Sequence, residues 1–192
     1  MNDFHALIKR WQAGDEWAAA AIYNQYRNTI YGLAYGLLAD AADAEEVAQD
    51  ALTYALTHIN QYKPHKARFT TWLHTITVSR CRNKRRRRWL PSIPLLVWLK
   101  HGFDVVDFAP SLESQTIQAD TRNEVWQAIQ TLSQPMREAI LLRYWADYSY
   151  PEIGEILGCS ARVARGRVQS AYKSLKPLLS QSSLTNFVEK VQ

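Results

Sequence analysis

Two helical segments are pinned end to end between Ser149 and Leu178, and residue chemistry marks their boundaries. Ser149-Tyr150-Pro151-Glu152 combines a capping hydroxyl, a proline in the first turn and a glutamate placed to reach back to the cap. The helix it opens is short, because Gly158 suits the left-handed turn that ends helices. Ser160 then caps a longer helix, and Ala164, Val168, Ala171, Leu175 and Leu178 recur at helical spacing as its expected buried side. A short helix, a turn of about three residues and a longer helix match helix-turn-helix geometry. The longer helix would turn Arg162, Arg165, Gln169 and Lys173 outward. Arginine grips guanine and glutamine grips adenine through paired hydrogen bonds, while Lys173 suits a phosphate. The two segments predict a module that lies in the major groove of duplex DNA.

The rest of the chain is helical by pattern, with no period-two strand and no internal repeat. Ile22, Tyr26, Ile30, Leu33 and Leu37 mark one long helix after Gly14. Asp43-Ala44-Glu45-Glu46 reads as a capping box with Asp43 as the cap, opening a helix that buries Ala48, Leu52, Ala55 and Ile59. A polar loop over residues 60–68 precedes a helix with Phe69, Trp72, Leu73 and Ile76 inward. Pro91, Pro94, Gly102 and Pro110 break the chain after Trp89, and helical spacing resumes near Asp120 with Val125, Ile129 and Leu132. Ser133 then caps a further helix with Pro135 in its first turn. A length of 192 residues accommodates two small domains. The expected fold class is all-α: two small helical domains joined by a linker, the C-terminal one a helix-turn-helix. The expected boundaries are 1–89, a linker over 90–119, 120–180, and a tail over 181–192. The linker is unusually apolar, from Leu90 to Leu99, and is expected to pack on a domain or a partner.

Charge is placed unevenly. The formal net charge is only +5, yet seven of the nine positions from Arg80 to Arg88 are basic. A tract of this kind neutralises phosphates and releases counterions. Acidic residues gather instead between Asp40 and Asp50. Between these regions, Tyr62, Lys63, His65, Lys66 and Arg68 combine rings with cations, the means by which unpaired bases are stacked and held. The helix after that loop is expected to expose Thr71, His74, Thr75, Val78 and Arg82 opposite its apolar stripe.

Several function classes are excluded by pattern. There is no HExxH, no Walker A loop and no GxGxxG, and His58, His65 and His74 are spaced irregularly for a metal site. No catalytic residue, metal or cofactor is expected. Cys81 and Cys159 lie far apart in unrelated contexts, so no disulfide framework is visible. The first residues lack the basic start and apolar run of a signal peptide, and no stretch approaches the ~20 apolar residues of a membrane helix. A cytoplasmic protein with no membrane span is expected.

Taken in order, these segments resemble the extracytoplasmic-function sigma factors, the small promoter-recognition subunits of bacterial RNA polymerase. Asp43 to Leu52 (DAEEVAQDAL) resembles the part of region two that docks on the polymerase clamp helices. Phe69 to Ile76 (FTTWLHTI) resembles the start of the helix that reads the minus-10 element. Leu132 to Tyr144 (LSQPMREAILLRY) and Glu152 to Gly158 (EIGEILG) resemble region four, which reads the minus-35 element. The resemblance covers roughly residues 10–88 and 120–180. It implies that Glu46, Gln49 and Asp50 contact the beta-prime subunit of core RNA polymerase, with region four seated on the beta subunit. Minus-10 DNA would meet Tyr62, Lys63, His65, Arg68, Thr71, His74, Thr75, Arg82, Arg85 and Arg86. Minus-35 DNA would meet Ser160, Arg162, Arg165, Arg167, Gln169 and Lys173. Promoter DNA is thus an implied partner, and an inhibitory anti-sigma factor is another that the family suggests and nothing in the sequence identifies.

Some positions depart from the family pattern. Ser79 stands where Asn is common, Asn83 where Asp is common, and Gly154 where Ala is usual. Val163-Ala164 replaces a typical Thr-Val pair and removes a hydroxyl suited to phosphate. The competing reading is a stand-alone helix-turn-helix regulator, which leaves the acidic docking helix and the arginine-rich helix unexplained. A DNA-processing enzyme would need a nucleophile or a metal-binding carboxylate cluster, and neither is visible.

Overall fold

The computed structural model describes residues 2–89 and 116–179, and their side chains from 4–87 and 124–179. Eight α-helices run through these residues, and no strand occurs among them. The apolar linker, apart from the residues that begin a helix at Thr116, lies outside the described residues, as does the tail from residue 180.

The N-terminal unit holds α1 (Asn2–Gln12), α2 (Glu16–Leu38), α3 (Ala41–Thr57) and α4 (Phe69–Trp89). Helix α1 was not anticipated from the sequence, although Phe4, Leu7, Ile8 and Trp11 follow helical spacing. Trp11 Nε1 donates to the Leu56 carbonyl at 2.9 Å, tying α1 to the end of α3. Asp15 caps α2 by accepting from the amides of Trp17 and Ala18. The cap of α3 is Asp40 rather than Asp43: its backbone is extended and its carboxylate accepts the Asp43 amide at 2.9 Å. Asp43 lies one turn into the helix, with its carboxylate 3.4 Å from Lys84 Nζ. Ile22, Ile30, Leu52, Phe69 and Leu73 lead the core of this unit.

The C-terminal unit holds α5 (Thr116–Thr131), α6 (Gln134–Tyr144), α7 (Tyr150–Leu157) and α8 (Ala161–Leu175). Helix α5 begins before the expected residue 120. Leu178 is half exposed, contrary to its expected place on the buried stripe, because the chain tightens to a 3-10 turn at Lys176–Leu178 and turns Leu179 inward instead.

The two units share a core. Leu33, Leu37, Val47 and Val78 of the first cluster with Leu132, Ile140, Leu142 and Ile153 of the second. Gly36 makes the approach possible, since a Cβ there would lie 3.0 Å from Leu141 and 3.2 Å from the Trp126 ring. The last carbonyls of a helix have no partner within it, and α2 has no basic residue in its last turn. The second unit supplies the donors. Gln130 Nε2 reaches the Gly36 carbonyl at 3.1 Å, and Arg137 Nη1 the Leu37 carbonyl at 3.3 Å. Arg137 Nη2 also donates to the carbonyls of Gln130 and Leu132. Arg137 is 6% exposed, so its charge rests on these acceptors.

Replacing Arg137 by Met keeps much of the volume but strands the carbonyls and their seam. The expected loss is about 3 kcal/mol, read as a lower urea midpoint; an unchanged midpoint would mean the seam contributes nothing to stability.

Candidate nucleic-acid interface

Helix α8 is positioned by two local devices. At the start of α7 the Glu152 carboxylate accepts from the Ser149 amide at 2.9 Å and its hydroxyl at 2.7 Å. Those bonds to Ser149, helped by Arg68, hold the Glu152 carboxyl below its usual range. Gly158 ends α7 in the left-handed region (φ 70°), and the Cys159 amide closes onto the Gly154 carbonyl at 2.9 Å. Ser160 Oγ then accepts the Val163 amide at 3.3 Å. Ala164, Val168, Ala171 and Leu175 are buried, and Arg162, Arg165, Gln169 and Lys173 are exposed together on the opposite side. Arg167 departs from expectation. It is half-buried and turns back to the turn, with Nη1 3.7 Å from Cys159 Sγ. Ser160 is exposed, but its hydroxyl is engaged as the cap.

Helix α4 differs more sharply from the sequence reading. Thr71 and His74 are each 3% exposed and Val78 1%, because the C-terminal unit packs on the face expected to be open. The His74 ring meets the Tyr148 ring edge-on, with centroids 5.4 Å apart. Tyr148 is itself 4% exposed, and burial pushes its hydroxyl pKa up. Burial pushes the His74 imidazole down to about 4, and neither ring nitrogen has a hydrogen-bond partner among the described residues. Thr75 is half-buried and donates to the Thr71 carbonyl at 2.8 Å. Arg82 forms a two-pronged pair with Glu138 of α6 at 2.9 and 2.6 Å, and Arg68 pairs with Glu152 of α7. Glu138 is 3% exposed and also accepts from Gln134.

The loop before α4 stays accessible. Lys63, His65 and Lys66 are exposed, and a pocket of about 220 Å³ is lined by Gln61, Tyr62, Lys63, Lys66, Ala67 and Trp72. Tyr62 forms a wall rather than a free stacking platform: it is 6% exposed, packs on Phe69 and Trp72, and donates to the Ala67 carbonyl at 3.2 Å. Arg82, Arg85, Arg86 and Gln134 line a second, basic cleft of about 380 Å³ between α4 and α6.

On α3, Glu46, Gln49 and Asp50 are exposed along one stretch. Lys84 pairs with Glu46, Asp50 lies 3.8 Å from Arg80, and Gln49 donates to Glu45. Among the described residues no group of His, Cys, Asp and Glu could hold a metal ion, and no helix is long and apolar enough to cross a membrane. Sequence reasoning missed Arg137 and Glu138. The available signal was two charges inside the apolar run of α6, where burial demands partners.

Comparison with known proteins decides what this arrangement is. Sigma-70 region 2 matches residues 22–90, and sigma-70 region 4 matches residues 122–175. The chain belongs to the sigma-70 family. It is similar to the ECF RNA polymerase sigma factor SigW of Bacillus subtilis (strain 168), at 29% identity over 177 residues, covering 90% of this chain and 94% of the relative. The RNA polymerase sigma-H factor of Pseudomonas aeruginosa is 29% identical over 186 residues, covering 92% and 95%. Among solved structures, the sigma factor RpoE bound to the anti-sigma factor NepR from Bartonella quintana superposes with a TM-score of 0.61 at 20% identity, over 83% of this chain and 94% of that one. CnrH in complex with the cytosolic domain of CnrY gives 0.65 at 19% identity, over 90% and 94%. The chain is therefore a promoter-recognition sigma factor of the extracytoplasmic-function type. The region 2 match accounts for the acidic and arginine-rich helices that a stand-alone regulator leaves unexplained.

Burial of His74 makes the packing of this sigma factor sensitive to acid. A free imidazole titrates near ~6.5, whereas His74 titrates at about 4 when covered. Protons therefore bind the uncovered form first, and the packing is favoured above about pH 6.5 and weakens as pH falls toward 4. Tyr148 stays neutral throughout this range, and Glu152, held below the usual carboxylate range, keeps its Arg68 pair until lower pH. The opening of residues 71–78, read as the amide-exchange rate divided by the intrinsic rate at each pH, should rise between pH 7 and 5, and His74→Phe should flatten that rise. A rise that persists in the variant would assign it to another group.

Proposed function

We propose that this sigma factor acts in the cytoplasm as a two-part clamp on core RNA polymerase. One unit (residues 1–89) docks on the polymerase and holds opened minus-10 DNA, and the other (residues 120–180) reads the minus-35 element as duplex. The observation that carries this reading is the row of exposed donors on α8, set opposite a fully buried stripe. Arg162 and Arg165 suit guanine edges, Gln169 suits adenine, and Lys173 suits phosphate. Glu46, Gln49 and Asp50 would meet the beta-prime subunit, with the beta subunit holding the α6–α8 unit.

Minus-10 capture is assigned to the pocket beneath Lys63 and Lys66. Its Trp72 and Tyr62 walls offer apolar surface to an extruded base, Lys63 and Lys66 line the same pocket, and His65 is exposed on the same loop. Unstacking a base requires a few kcal/mol, which stacking and charge in the pocket offset. Arg85 and Arg86 would hold phosphates. Thr71 and His74 are covered by the C-terminal unit and would reach DNA only when it leaves α4, with half-buried Thr75 beside them. Arg68 and Arg82 keep open sides while paired with Glu152 and Glu138, so full capture along α4 would require the two units to part. Of the solved structures described above, RpoE is bound to an anti-sigma factor and CnrH to the cytosolic domain of CnrY. An inhibitory protein of that kind is proposed for this chain as well, and the apolar stretch from Trp89 to Trp98 is proposed to pack on it or on the polymerase.

Run-off transcription with purified core polymerase on a promoter library tests the whole reading. Start-site selectivity that depends on this chain is expected, and its absence overturns the proposal. Arg165→Ala should relax one upstream base preference by about 1–3 kcal/mol. Glu46→Lys with Asp50→Lys should weaken core association while leaving the helical content intact by circular dichroism. A gel shift of promoter DNA by the chain alone, as strong as that with core enzyme, would favour the stand-alone regulator.

A further inference from the structure

Gly166 lies at the centre of the exposed face of α8. At about 100° per residue, it falls opposite the buried Ala164, Val168, Ala171 and Leu175. Its near neighbours on that face are Arg162 and Val163 one turn before and Gln169 and Ser170 one turn after. Glycine is the weakest helix former after proline, so its place inside a helix asks for a reason. Elsewhere among the described glycines the reason is visible: Gly14 and Gly158 take a positive φ, and Gly32, Gly36 and Gly154 press against a neighbour. Gly166 has neither, and a Cβ there would meet nothing within 4 Å. Beside it stands Val163, an apolar side chain left 45% exposed. The helix carries no acidic residue.

A bare backbone flanked by cations and one exposed isopropyl group suits a partner that approaches closely, is negatively charged and has an apolar point. Duplex DNA presents one such point in the major groove, the C5-methyl group of thymine. We propose that Gly166 is the contact floor of the reading helix, letting α8 sit deep enough for Val163 to cover a thymine methyl in the upstream element. Arg162 and Gln169 then reach base edges on either side. This rests on the assignment of α8 to the minus-35 element and adds the thymine and the two residues that select it.

The test uses polymerase holoenzyme formed with the full chain, and promoter fragments in which each upstream thymine is replaced in turn by deoxyuridine, which lacks only the methyl group. Wild-type holoenzyme should lose affinity severalfold at one thymine, and Val163→Ala should abolish that sensitivity. Gly166→Ala should raise the melting temperature of the free chain and still weaken binding about tenfold. Unchanged binding by Gly166→Ala overturns the contact floor, and indifference to every missing methyl overturns the role of Val163. A fragment with the whole upstream element scrambled separates the two levels. If wild-type holoenzyme binds it as well as the intact promoter, the minus-35 assignment itself fails, and this proposal with it.

Discussion

The end of α2 is the hinge on which the described structure turns. Its last carbonyls need donors that the helix itself lacks, and Arg137 and Gln130 deliver them from the other unit. Each half is thus incomplete at that point without its counterpart. Close contact follows from the small size of Gly36, which admits Leu141 and the Trp126 ring against the helix. The flat stack of Trp126 on Tyr35, 5.6 Å between centroids, extends the same contact outward. Once α6 is fixed there, Glu138 reaches Arg82 and α7 comes to lie on α4.

The functional residues fall into two groups by what holds them. Those on α8 and α3 are set by local rules, with a cap, a turn and a buried stripe leaving the opposite face outward. Those on α4 are set by packing between units, which places a neutral imidazole, two threonines and an arginine in contact with protein. The Arg82–Glu138 pair is half shielded from solvent, since Glu138 is 3% exposed and Arg82 remains partly open. Ionic strength acts on its open side and leaves the apolar seam untouched.

Legibility in the sequence follows the same division. The helix-turn-helix was readable residue by residue, because Ser149, Glu152, Gly158 and Ser160 act over three or four positions. The outward row from Arg162 to Lys173 followed from simple periodicity. Asp43 was misplaced as a cap because two aspartates three residues apart both satisfy the pattern, and only backbone geometry selects Asp40. Arg167 sits at the edge of the buried stripe, where periodicity does not decide between DNA and the turn. The burial of Thr71, His74 and Val78 could not be read, since α4 is covered on both sides and its second cover comes from residues more than seventy positions away. Helix α1 was readable from Phe4, Leu7, Ile8 and Trp11 and was overlooked because it precedes Gly14.

The two surfaces proposed for nucleic acid are unequal in the packed form. The outer side of α8 looks into solvent, while the inner side of α4 is capped by α7. On the proposed reading, a molecule in this state presents intact double helix with its basic ridge, while Thr71, His74 and Val78 of α4 stay closed to a separated strand until α7 lifts away. Scanning and commitment would then fall to two shapes of one polypeptide, with unwinding left to the shape in which α7 has parted from α4.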